Sequence, residues 1–371
     1  LNIDKGSKQK MEINAMATES LSWRRLVLPI CLGIDPMERL LVASFKGDPE
    51  FEGFEPQVFD DPINGRGMRV LRYRKDGKVD VYWQPGVRVD LTTFAVGSGI
   101  GDFVETTIEP ACFDITEGSL DLHVAFIDAQ KRKVELRIHE DTHGKRGFPM
   151  LAPVGADVEK PPRLMLVFMP CIDLVRRTGS LVEGRIGDRT LCPASFPILL
   201  NWHRVWFVRY VPNPVIAALN PPMSRPLMIE MSAPGGAEVD GMMIIVDEKG
   251  SVSSVSTGTE PCHVRLDFSP SFPNLPEILD RGSAAGKWKI QIAGVNITGG
   301  SYSALRDGNS VAVELDVTEN WKPAGLPLSM DIFTRVVPVF RIWPATYRWR
   351  GVVELGMEPV MSGTWERKGG K

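Results

Sequence analysis

The feature that most constrains this chain is a recurring two-residue period. Leu120, Leu122, Val124 and Phe126 alternate with Asp121, His123, Ala125 and Ile127, and Val134, Leu136 and Ile138 then alternate with Glu135, Arg137 and His139. Successive side chains of an extended chain point to opposite faces, so each run specifies a strand with one face on a core. Residues 69–74 and 79–83, joined across Asp76-Gly77, have the form of a hairpin. Long helical periods are scarce, and 29 Pro with 35 Gly supply turns between short strands. The chain is therefore expected to be mainly β.

Its 371 residues exceed one ordinary core, which points to two domains. Residues 1–20 are a polar N-terminal extension, and 21–211 hold the runs of a sandwich-like antiparallel β domain. Pro212, Pro214, Pro221 and Pro222 interrupt pairing and mark 212–226 as a Pro-rich linker around a short apolar piece. Residues 227–371 carry about eight further runs, at 241–247, 262–268, 288–292, 311–317, 328–333, 336–342, 348–355 and 360–366, enough for a small closed barrel or sandwich. The expected architecture is two antiparallel β domains, the second a β-barrel.

Charge and cysteine usage exclude several classes. A net charge of −3 leaves no basic footprint for nucleic acid. Cys31, Cys112, Cys171, Cys192 and Cys262 form no C-x-x-C pair, which fits reduced thiols. The apolar run 26–33 is short and contains Pro29, so neither a membrane-spanning segment nor a secretory signal is expected, and the chain is read as cytoplasmic.

Three motif-like strings bear on function. His139-Glu140-Asp141-Thr142-His143 spells H-E-x-x-H, which on a helix would place two histidines on zinc beside a general base. It follows an alternating strand and runs into Gly144, Gly147 and Pro149, so a solvated turn at a strand end is expected and no metal. Gly97-Ser98-Gly99-Ile100-Gly101-Asp102 lacks the third glycine and the crossover helix of a dinucleotide loop, and a glycine-rich hairpin is expected. Ser195 lacks the G-x-S-x-G frame of a nucleophile elbow. No cofactor is expected.

Residues 199–211 pack two Trp, one Phe and one Tyr into thirteen positions before Pro212. As a strand, Trp202, Arg204, Trp206, Val208 and Tyr210 share one face, while His203, Val205, Phe207, Arg209 and Val211 share the other. Trp202, Trp206 and Tyr210 are the candidate ligand-binding residues, with Trp83 and Trp349 as further candidates. Arg204 is the charged group among them, since a cation between two Trp must stack, pair or meet a ligand. Asp173 and Glu183 are acids in apolar runs, where burial would suit a proton donor; outward-facing positions or ion pairs with Arg176 or Arg185 are the ordinary explanation.

Gly286-Lys287-Trp288, Ile297-Thr298-Gly299-Gly300-Ser301-Tyr302, and residues 347–354 through 362–366 with Trp349 and Trp365 resemble the C-terminal half of two-domain, lipocalin-like proteins of the carotenoid 1,2-hydratase and AttH group. The fungal decalin-forming Diels–Alderases look similar in the same places. About eighty-five residues follow Gly286, so strands from Gly241 onward would have to complete a lipocalin-like barrel. The resemblance implies an aromatic pocket in or between two β domains, acting without a redox cofactor on an apolar polyene, terpenoid or polyketide-like molecule. The expected activity is cofactor-free cyclisation, isomerisation or hydration. A non-catalytic lipocalin-type binding protein is the second reading, and a zinc-dependent hydrolase using the H-E-x-x-H string is the third.

Overall fold

The computed structural model describes residues 24–91, 98–116, 119–141, 147–156, 158–231, 234–258 and 262–369. The expected extension 1–20 lies outside them. The chain is mainly β, with several antiparallel sheets. Its first half contains β1 (Arg24–Leu28), β2 (Leu32–Pro36), β3 (Arg39–Lys46), β4 (Phe51–Asp61), β5 (Gly65–Arg74), β6 (Val79–Trp83), β7 (Ile100–Glu105), β8 (Ala111–Thr116) and β9 (Ser119–Ile127). It continues with β10 (Lys133–Asp141), β11 (Phe148–Ala152), β12 (Leu164–Arg176), β13 (Ser180–Ile186), β14 (Arg189–Pro193), β15 (Val205–Pro212) and β16 (Val215–Leu219).

Fifteen of these strands form one sheet, with a backbone order β2-β16-β12-β15-β3-β14-β13-β10-β9-β8; β11 joins β12, and β4, β5, β6 and β7 continue outward from β3. The alternating runs behave as their period requires. Strands β9 and β10 pair antiparallel from Lys133↔Ile127 to Asp141↔Ser119, and Leu120, Leu122, Val124, Val134, Leu136 and Ile138 are all buried. The hairpin around Asp76-Gly77 is present, with Arg69 opposite Trp83 and Gly77 at φ +82°. β7 runs parallel to β6, so Ser98-Gly99 leads into a crossover strand and not a hairpin. Gly101 has a packing reason: a Cβ there would fall 2.3 Å from an Asp80 carboxylate oxygen. Residues 215–219, expected within a linker, are a strand held between β12 and β2.

The two limbs of this sheet share one core, which we call its inner side. Leu41, Phe54, Val70 and Tyr82 from one limb meet Leu122, Phe126 and Leu136 from the other, and the Tyr82 and Phe126 rings lie 4.7 Å apart. Arg72, fully buried here, donates from Nη2 to Asp80 at 2.9 Å and to the Tyr82 hydroxyl at 3.0 Å, and from Nη1 to Asp128 at 3.1 Å. Tyr82 in turn donates to Asp102 at 2.6 Å. Arg74 and Arg132 close the network from the rim, on Asp80 at 2.6 Å and Asp128 at 2.9 Å.

The second half comprises β17 (Leu227–Met231), β18 (Gly235–Val239), β19 (Met242–Val246), β20 (Val252–Thr257), β21 (Val264–Phe272), β22 (Ser283–Ile292), β23 (Val295–Asp307), β24 (Ser310–Glu319), α1 (Leu328–Val336), α2 (Pro338–Ile342), β25 (Tyr347–Glu354) and β26 (Val360–Arg367). Strands β18 to β26 form one antiparallel meander in sequence order, and the sheet is open, with no pairing between β18 and β26 among the described residues. A closed barrel, as expected from the strand count, is not what forms. Residues 328–333 and 336–342, expected as strands, are helical; a short apolar run with Leu328, Met330 and Ile332 satisfies either period. No helix among the described residues is long and apolar enough to cross a membrane.

The strings that carry the resemblance pack the buried side of this meander. Trp288 is buried and donates Nε1–H to the Ser301 carbonyl at 3.0 Å. A Cβ at Gly286 would fall 2.6 Å from the Tyr302 ring, whose hydroxyl donates toward the Pro270 carbonyl at 2.8 Å and lies 3.0 Å from that of Ser271. Trp349 lies opposite Trp365 across β25 and β26.

Candidate functional site

β15 is the centre of the first sheet, yet it begins at Val205 and not at Leu199. Leu200 and His203 exchange backbone hydrogen bonds of 3.0 and 2.9 Å across Asn201 and Trp202, which sit at φ +47° and +68°. This is a two-residue turn with both central residues left-handed, a geometry that suits Asn and leaves the next side chain on the tip. Trp202 is consequently 90% exposed and Arg204 is exposed, so the four residues expected to share one face are split. Trp206 and Tyr210 remain on the inner side, where Trp206 carries the Arg177 guanidinium on its ring at 4.4 Å and Tyr210 joins the core.

Asp173 lies directly opposite Tyr210 on β12 and is half-buried. Burial raises the Tyr210 phenol, and the Asp173 and Glu140 carboxylates raise it further. Glu140, the middle of the H-E-x-x-H string, is buried and accepts the Arg176 amide at 2.8 Å. It occupies strand β10, so His139 and Glu140 point to opposite faces, unlike the one-sided helix a zinc site needs. The solvated turn expected here is thus a strand with an interior carboxylate; His143 lies outside the described residues. Glu183 is exposed on β13 opposite Arg137, not in apolar surroundings. Trp349 is 2% exposed, and a Cβ at Gly351 or Gly363 would fall 2.3 Å from its ring, so the indole is seated on those two glycines as core.

The other face of the same sheet is different. Phe207 and Arg209 on β15, Glu55, Gln57 and Phe59 on β4, Arg69 and Tyr73 on β5, and Trp83 on β6 point to this outer side by the period of their strands. Val205, Val211, Phe59 and partly buried Trp83 on this face join the large core that continues into the second half of the chain. Arg69 donates Nε–H to Gln57 at 2.6 Å, Gln57 donates to Glu55 at 2.7 Å, and Tyr73 donates its hydroxyl to the other Glu55 oxygen. Arg69 stacks on Phe59 at 4.6 Å and Arg209 on Phe207 at 4.7 Å.

Arg209 closes the set differently. Its Nη1 is buried and has no hydrogen-bond acceptor among the described residues. Burial lowers its pKa, with Glu55 opposing the shift, and burial pushes the Tyr73 phenol well up, aided by the Glu55 carboxylate. Arg209, Tyr73, Glu55, Phe207 and Trp83 nevertheless keep some accessible surface. This face therefore combines desolvated charged and aromatic groups with some accessible surface. An aromatic series continues away from the guanidinium: Phe207 to Phe196 at 5.3 Å, Phe196 to Phe333 of α1 at 5.8 Å, and Phe333 to Phe340 of α2 at 5.9 Å.

Of the residues expected at a site, only Trp83 falls on this face, opposite Arg69 and 4.5 Å from the Phe103 ring. Glu55, Gln57, Arg69, Tyr73 and Arg209 were missed, because polar residues at alternate positions read as a solvent face. Their signal was the interleaving of charge with Phe59, Trp83 and Phe207, which solvent does not require. No family model matches the chain, and neither a curated protein nor a solved structure matches it.

Proposed function

We propose that the outer face around Arg209 binds an apolar polyene, terpenoid or polyketide-like molecule bearing a carbonyl, and that the protein catalyses its cyclisation, isomerisation or hydration without a cofactor. The observation that carries this reading is the buried Arg209 Nη1, a charged donor without an acceptor among the described residues, beside an aromatic series. A guanidinium stays protonated even when burial lowers its pKa, so it offers a carbonyl oxygen a charge-assisted hydrogen bond in a low-dielectric setting. Withdrawal of electron density through that oxygen activates a conjugated chain, and preorganised donors of this kind supply large rate effects. Aromatic walls hold the flexible chain folded, which converts lost freedom into proximity.

The resemblance in the C-terminal strings supports the same class. The nine strands of the open meander follow in sequence order, which supports a lipocalin-like second part, and the core shared by the two limbs of the first sheet supports a sandwich-like first part. Arg209 replaces Arg204 as the charged group of the proposal, Trp83 is kept, and Phe207 takes the place of Trp202, Trp206, Tyr210 and Trp349. A non-catalytic binding protein is the second reading, favoured by the Tyr73 hydroxyl, whose proton is already committed to Glu55. Titration of conjugated polyene ketones against intrinsic Trp fluorescence, followed by mass spectrometry for isomerised, cyclised or hydrated product, separates the two. Binding with no conversion leaves the second reading, and no binding of any such compound removes both.

A further inference from the structure

Helix α1 has two apolar faces, and among the described residues only one is covered by the fold. Met330 and Thr334 are buried, and Phe333 packs on Phe196 and Phe340. On the other side Leu328, Ile332 and Val336 recur every fourth residue and form a single stripe, 74, 53 and 67% exposed. Ile342, at the end of α2, is 45% exposed. Three such residues on successive turns are more than scattered surface hydrophobicity.

Charge identifies what the stripe meets. Residues 320–346 contain Lys322, Arg335 and Arg341 against Asp331, a net of +2 (three cations less one anion) in a chain of net −3. Arg335 is paired with Asp331 at 2.8 Å, while Lys322 and Arg341 are exposed. A second copy docking through the same stripe would bring these like charges together, which costs affinity. An apolar stripe on a segment that also carries two exposed cations suits the acyl–headgroup boundary of an anionic bilayer.

We propose that the α1–α2 hairpin docks on an anionic lipid surface, with Leu328, Ile332 and Val336 entering the boundary and Lys322 and Arg341 at the headgroup phosphates. One consequence rests on the proposed function: an apolar substrate dissolved in the bilayer would be delivered beside Phe333, whose ring is part of the site's wall.

Co-sedimentation of the full chain with vesicles of phosphatidylcholine, with and without phosphatidylglycerol, tests the docking. Binding is expected with phosphatidylglycerol and should weaken as salt is raised. Ile332→Asp and Leu328→Ser should each weaken it about tenfold or more, and Arg341→Ser should weaken binding only where phosphatidylglycerol is present. Absence of sedimentation overturns the proposal, as does full binding by Ile332→Asp. Light scattering that shows a dimer dissolved by Ile332→Asp also overturns it and assigns the stripe to a second copy. Unchanged unfolding of Ile332→Asp excludes misfolding as the cause of lost binding. Fluorescence quenching by a soluble short-chain polyene ketone, without vesicles, should be identical in Ile332→Asp and the parent, so the docking and the proposed function can fail separately.

Discussion

Two arginines on opposite sides of one sheet, Arg72 fully buried and Arg209 half-buried, show what separates framework from chemistry. Arg72, on the inner side, gives both terminal nitrogens to Asp80, Asp128 and the Tyr82 hydroxyl, with Asp102 at 3.6 Å, and only its Nε lacks an acceptor among the described residues. Arg209, on the outer side, stacks on Phe207 and leaves Nη1 without an acceptor among the described residues. A buried cation surrounded by carboxylates is compensated, and its removal strands the anions. One whose donor is unmet carries a cost in the protein alone, and such costs persist where a ligand repays them.

The contrast is most severely tested by Arg72→Leu. Asp80 and Asp128 would be left in the core, and a loss of about 3–5 kcal/mol is expected in urea unfolding; a loss below about 1 kcal/mol would remove the distinction. Next comes Arg209→Leu, for which turnover of the conjugated ketone should fall about 100-fold, the usual order for one preorganised donor. Its unfolding free energy should stay level or rise, and a fall matching that of Arg72→Leu would make Arg209 framework as well.

Acid sharpens the same comparison with a smaller effect. Hydrogen bonds from Arg189 and Arg132 hold the Glu50 carboxyl low. Burial pushes Asp128 and Asp102 up but is outweighed, by Arg132 and Arg72 on Asp128 and by Tyr82, Gln130 and Arg74 on Asp102. Folded pKa values below the unfolded ones, which lie near about 4, give stability that is present above that pH and lost as pH falls through the folded values. Melting temperature should therefore drop below about pH 4, more gently in Arg72→Leu; an equal slope in both would detach the network from acid stability. The smallest effect belongs to Trp202→Ser, on the exposed turn. It should change unfolding by under about 0.5 kcal/mol and leave ligand quenching in place.

Much of the architecture was legible because burial on one face imprints a period. Residues 120–126 and 134–138 carried it, and so did the Asp76-Gly77 turn. The helical pair at 328–342 was not legible, since runs of five to nine apolar-rich residues fit both periods, and its tertiary setting on Phe196 decides. The site was hidden for a related reason. Asn201 and Trp202 turn left-handed and cut the aromatic run short, while Glu55, Gln57, Arg69 and Tyr73 looked like a wetted face because nothing local announces that distant chain covers it.

The two halves are also tied across long separations. β1 pairs with β17, joining Arg25 to Glu230 and Leu28 to Leu227. The Trp365 Nε1–H lies 3.1 and 3.2 Å from the carbonyls of Leu219 and Asn220, and amides of edge strand β26 reach back to Ser224 and Glu159 at 2.9 Å. During synthesis β1 must therefore wait while some two hundred further residues are made, about ten to forty seconds at ordinary elongation rates. Over that interval Leu26, Val27 and Leu28 have no partner strand, and the nascent chain is a client for whatever shields apolar segments at the ribosome.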